Sequence, residues 1–143
     1  MAQRLSRSVG LAAITLLVFT CTACASLFGP PKPTAEEFQQ QVIDIVEDAD
    51  PSATNVEVEI VTSGLAQGYV VTIDHEGEVT PELLESILRP IAANDLDPVD
   101  IALFFVEPGT DNPLEFRTAA DELGIPWGKF GAGVVWLSSD IEG

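Results

Sequence analysis

The sequence predicts an α+β fold: one mixed four-stranded sheet with helices packed on it, in the order α-β-β-α-β-α-β. Three observations carry this expectation. Apolar residues recur at helical spacing in separate stretches. Alternating or fully apolar β-branched runs mark strands between them. Two strands follow one another before helix and strand begin to alternate, which suits a single mixed sheet with helices laid on it.

Each element has its own justification. Thr34-Ala35-Glu36-Glu37 is a capping-box pattern, with Thr34 at the cap and Glu37 reaching back. Behind it Phe38, Val42, Ile45, Val46 and Ala49 share a helical face, opposite Gln39, Gln40, Asp44, Glu47 and Asp48, until Asp50-Pro51 stops the helix. Val56, Val58 and Ile60 then alternate with Glu57, Glu59 and Val61, and Tyr69, Val71 and Ile73 with Val70, Thr72 and Asp74. Two glycines between these strands predict a hairpin loop over 63–68, a register that sets Glu57 directly opposite Asp74. Thr80-Pro81 opens a second helix with Leu84, Ile87, Leu88 and Ile91 on one face, and Pro90 is expected to end or kink it. The run over 100–106, entered from Val99, is apolar on both faces, as in a central strand. Asn112-Pro113 is expected to open a third helix that runs through Leu123 to Gly124, and 133–138 forms the last strand.

Charge excludes one class of function. The chain carries 23 acidic residues against 6 basic ones, a net charge of −17. Arg4 and Arg7 lie in an opening stretch free of acids. From Cys24 onward only Lys32, Arg89, Arg117 and Lys129 oppose all 23 acids, leaving −19. Nucleic-acid affinity depends on Lys and Arg neutralising phosphates, so this surface repels such a partner.

The N-terminal stretch reads as an address. Basic residues precede a twelve-residue apolar run over 9–20, the length of a signal-peptide core and short of the ~20 residues a membrane span needs. Thr22 and Ala23 then precede Cys24. This arrangement resembles the signal of bacterial lipoproteins, in which a small residue and then Gly or Ala precede the cysteine that is lipidated. Cys21 stands where that family usually has Leu. The resemblance implies a signal peptide over 1–23, a lipidated Cys24, a Pro-rich tether over 24–33 and an extracytoplasmic domain over 34–143. The membrane would then be one partner, through the lipid. Ala23-Cys24-Ala25 also fits the A-x-A site of a soluble secreted protein, an alternative that would remove both cysteines. In either case no cysteine follows Ala25, so the domain has neither a disulfide nor a thiolate metal site.

No catalytic or cofactor motif is present. The lone histidine, His75, follows the second strand in a turn-like stretch where an exposed side chain is expected, and no Gly-x-Ser-x-Gly elbow presents a nucleophile. Residues 95–100 superficially resemble a calcium loop but lack its Gly and closing Glu, so a helix-to-strand loop capped by aspartates is the better account. Glu57, Glu59 and Asp74 form a weak candidate for a divalent cation, against the preferred account of a solvated acidic face. The stretch 127–133 has three glycines, two aromatics and one cation. It is either a long turn pinned on the core by its aromatics or a binding surface built on Trp127, Lys129 and Phe130. The expected protein is a lipid-anchored, non-catalytic module of the bacterial envelope that binds an envelope protein or a small ligand. Its rivals are a small hydrolase using loop carboxylates and a self-assembling structural lipoprotein. Anchoring predicts a mature chain that starts at Cys24 with a lipid adduct and partitions into detergent. Intact-mass measurement should show that adduct lost in Cys24→Ala, whereas a wild-type chain that starts at Ser26 and stays soluble would contradict it.

Overall fold

The computed structural model describes residues 33–63, 66–94 and 100–143. The expected signal peptide, Cys24, the tether through residue 32, and the aspartate loop over 95–99 lie outside those residues. From Thr34 to Gly143 the chain forms one compact unit.

The α+β expectation holds in its coarse form. The elements run α1 (Ala35–Ala49), β1 (Asn55–Ser63), β2 (Ala66–Asp74), α2 (Pro81–Ala92), β3 (Asp100–Val106), α3 (Arg117–Leu123), β4 (Gly128–Phe130), β5 (Gly133–Leu137) and α4 (Ser138–Glu142). The sheet has five strands rather than four, in spatial order β1-β2-β3-β5-β4. The strand missed in the sequence is β4, because three residues are too few to show alternation; α4 is missed for the same reason. β2 and β3 are parallel and every other pair is antiparallel, so the sheet is mixed and β3 is its middle strand.

Helix α1 starts where the capping box requires. The Thr34 amide donates to Glu37 Oε2 at 2.8 Å and the Glu37 amide to Thr34 Oγ1 at 3.2 Å. Hydrogen bonding from Thr34 to the Glu37 carboxyl, that of the Thr34 amide foremost and that of its side chain next, holds the carboxyl below its ordinary pKa. Thr80 caps α2 by accepting from the Leu83 amide, with Pro81 in the first turn. Pro90 does not end α2, which continues to Ala92. Helix α3 begins four residues later than Pro113 suggested. The Leu114 amide donates to the Phe105 carbonyl at 2.8 Å and Pro113 bridges to Val106, so that segment is bound to β3 before the helix can start.

One core lies between the helices and one face of the sheet. Phe38, Val42 and Val46 of α1, Leu84, Ile87 and Leu88 of α2, Ala119 and Ala120 of α3, and Ile141 of α4 all reach it. The sheet supplies Tyr69, Val71, Ile73, Ile101, Leu103, Phe105, Val134 and Trp136. These strand residues are two apart and lie opposite one another in register, as a single buried face demands. On the edge strand, Gln39 Nε2 donates to the Val58 carbonyl at 3.0 Å and ties α1 to β1.

The register of the first hairpin differs from expectation by two residues. Asn55 faces Asp74, Glu57 faces Thr72 and pairing continues to Ser63 opposite Ala66. Residues expected in a loop are therefore strand, since β-pairing satisfies their backbone groups. The second hairpin turns at Gly131-Ala132, with Gly131 at φ 60, the positive value a two-residue turn needs at its first position.

Gly133 is required for a different reason, space. A Cβ there would stand 2.5 Å from the Leu103 carbonyl oxygen and 2.8 Å from the Phe104 ring. The ring could shift but the backbone oxygen could not without disturbing the β3–β5 ladder. Gly133→Ala should therefore destabilise the protein by about 1–3 kcal/mol, the usual cost of overpacking. Urea unfolding of the two proteins measures it.

Candidate functional site

The face of the sheet turned away from the core has no helix over it among the described residues. Strand parity assigns its members: Glu57, Glu59 and Val61 on β1, Val70, Thr72 and Asp74 on β2, Asp100, Ala102, Phe104 and Val106 on β3, Val135 and Leu137 on β5, and Phe130 on β4. The large exposed hydrophobics, Val61 at 42%, Phe130 at 49% and Leu137 at 48%, all belong to this face. Such residues scattered singly need no explanation, but a set gathered on one face is characteristic of an interaction surface.

Two adjoining depressions shape it. The first, of ≈ 230 Å³, is lined by Val61, Gly68, Val70, Ala102, Phe130 and Val135 among others, so it touches all five strands. Phe130 stands edge-on to Phe104, ring centres 5.8 Å apart, which steadies the exposed ring at the groove's margin. The second depression, of ≈ 310 Å³, shares Asp100 and Val135 with the first and adds Pro126, Trp127, Gly128, Trp136, Leu137 and Asp140. Here two carboxylates stand beside aromatic rings. The buried indole N–H of Trp136 has no hydrogen-bond partner among the described residues.

The residues singled out from 127–133 are only partly brought together. Lys129 lies opposite Val134 and Phe130 opposite Gly133, so their side chains leave β4 on opposite faces. Phe130 projects onto the open face. Trp127 is half-buried against the core, with its indole N–H donating to Asp121 Oδ1 at 2.9 Å. The stretch is thus a hairpin rather than a long turn, and only one of its two aromatics is pinned.

The acidic trio is rearranged by the corrected register. Glu57 lies diagonal to Asp74 rather than opposite it, and Asp74 Oδ2 accepts from the Gly109 amide at 3.2 Å. Among the described residues no group of three or more His, Cys, Asp or Glu side chains could hold a metal ion. The preferred account of these acids, a solvated face, needs no cation.

His75 is the position where sequence reasoning failed most clearly. It is 6% exposed and lies beside Asp50, itself 4% exposed. His75 Nδ1 donates to Asp50 Oδ2 at 2.6 Å, while the Ser52 hydroxyl and amide donate to Asp50 Oδ1 at 2.7 and 3.0 Å. The ring also packs edge-on against Phe105 at 5.6 Å. Burial opposes ionisation of Asp50, yet the Ser52 and His75 hydrogen bonds outweigh it and hold the carboxyl below its ordinary pKa. Ser, His and Asp therefore meet, but not as a nucleophilic triad. In a triad the acid and the serine use opposite ring nitrogens. Here both Asp50 and Ser52 face Nδ1, the latter at 3.1 Å, and Nε2 points to the Glu78 carbonyl at 3.4 Å. The arrangement ties the end of α1 to the end of β2. The only sequence signal was Asp50-Pro51-Ser52, an Asx-type turn whose side-chain oxygen needs donors.

Comparisons with family models, with curated proteins and with solved structures find no match. Among the described residues no helix is long and apolar enough to cross a membrane.

The Asp50 cluster makes a stability prediction. Asp50→Ala leaves the buried His75 and Ser52 donors without their acceptor, a cost of about 1–3 kcal/mol at neutral pH. Because the native carboxyl titrates lower than the unfolded one, its contribution is complete above about pH 4. It is lost as pH falls through the native value. The gap between wild type and Asp50→Ala should narrow on acidification, as urea unfolding at neutral and acid pH would show.

Proposed function

We propose that this protein is a non-catalytic binding module of the bacterial cell envelope, held at the membrane by lipid on Cys24 and presenting the uncovered sheet face to a partner. The observation that carries the reading is the gathering of Val61, Phe130 and Leu137 on one face, along two adjoining depressions of which one touches every strand. With the four described helices all on the other side, the core makes no use of these exposed apolar side chains. Supporting it, the Asp50–Ser52–His75 cluster is buried and has both partners on a single imidazole nitrogen. The signal-like N-terminus, with Thr22-Ala23 before Cys24, is what supports the membrane location.

The reading is tested by site-specific photocrosslinking in cells. A photoreactive residue at Leu137 or at Phe130 should give a discrete adduct, and one at the exposed Glu47 of α1 should not. Adducts from Glu47 alone, with none from the sheet face, would place recognition elsewhere and refute the reading.

A further inference from the structure

The uncovered face has a charge pattern as well as an apolar centre. Asp100 and Asp140 line the second depression, and neither carboxylate has a hydrogen-bond or ion-pair partner among the described residues. Glu57 and Glu59 stand exposed on β1, on the same side. Among the described residues no base offsets them. Arg89 is paired with Glu85 on α2 at 2.6 Å, Arg117 lies near Glu115 at 3.5 Å, and Lys129 leaves β4 on the helix side.

We propose that the face binds a cationic amphipathic segment of a partner protein. Its apolar side chains would occupy the groove between Val61 and Phe130, and its Lys or Arg would sit between Asp100 and Asp140 beside the Trp127 ring. The two depressions share Asp100 and Val135, so one short segment fills both at once. A cation placed there gains from two carboxylates and from an adjacent indole, and each alone would be a weak attraction. Charge complementarity selects this occupant over two others. A second copy would set its own acidic rim against this one, and like charges across an interface act against the wrong partner. An anionic lipid surface is repelled by the same carboxylates. The inference rests on the reading that the uncovered face is the recognition surface, and adds the chemistry of what it recognises.

The test uses the full chain in phosphatidylcholine nanodiscs, with empty discs as the blank. Three short peptides share one set of leucines and differ only in their flanking residues, which are Lys, Ser or Glu. Binding is read by fluorescence anisotropy. The Lys peptide should bind about tenfold more tightly than the Ser peptide, the sum of a few exposed charge pairs. The Glu peptide should be weakest of the three. Asp100→Asn with Asp140→Asn should bring the Lys peptide down to the level of the Ser peptide. Phe130→Ser, at a position about half exposed, should weaken all three, and Val61→Ser provides a second check on the same groove. Equal binding of Lys and Ser peptides that Phe130→Ser still weakens would overturn the cationic partner and leave the face standing. Lys-peptide binding untouched by both Phe130→Ser and Val61→Ser would reduce the effect to bulk charge attraction and overturn both readings. Absence of binding by any peptide overturns the cationic partner, and the crosslinking experiment then judges the face independently.

Discussion

The parallel pairing of β2 with β3 is the constraint on which the rest of the structure depends. Parallel neighbours cannot be joined by a tight turn, so the chain must cross from Asp74 back to Asp100, and α2 lies in that crossover. Leu84, Ile87 and Leu88 bury α2 in the core. The other three helices, α1, α3 and α4, then each pack against α2. Each of them has a narrow apolar stripe that is satisfied only next to an element already in place. The core therefore grows on one face of the sheet, and among the described residues the opposite face receives no helix.

One-sided packing explains why the molecule needs local locks. The domain has no disulfide, since no cysteine follows Cys24. A single core layer leaves the sheet margins dependent on specific bonds. The Asp50–Ser52–His75 cluster joins α1 to the end of β2. Gln39 joins α1 to β1, and the Leu114 amide secures the segment before α3 to β3. These bonds are buried or partly buried, where leaving a donor unpaired is costly and keeping it paired fixes one arrangement. The acidic surface contributes little to this.

The uncovered face unites the apolar exposure with the charge. Val61, Phe130 and Leu137 would be a liability on a sheet with no further role, because exposed apolar strands invite edge and face association. Here Glu57 and Glu59 on the edge strand oppose such association. Asp100 and Asp140 add to the same sign of charge on this side of the sheet, so the apolar centre of the face is bordered by carboxylates at more than one strand.

By itself the sequence determined the local elements whose signals are local. The Thr34–Glu37 capping box, Thr80-Pro81, the Gly124 stop and the doubly apolar run over 100–106 each state their structure within a few residues, because helix caps and side-chain periodicity act over one or two turns. The depletion of bases was legible from composition alone. Tertiary structure alone decided the rest. β4 has three residues and exists only because β5 pairs with it. The hairpin register moved by two residues, a slip that keeps every side chain on its face and so leaves no trace in the alternation pattern. His75 became buried because Asp50, 25 residues earlier, was folded against it. Whether Phe130 faced core or solvent depended on which face the helices took. Pairing across long loops is rewarded only once the whole sheet is assembled, so it is written in no single stretch of the chain.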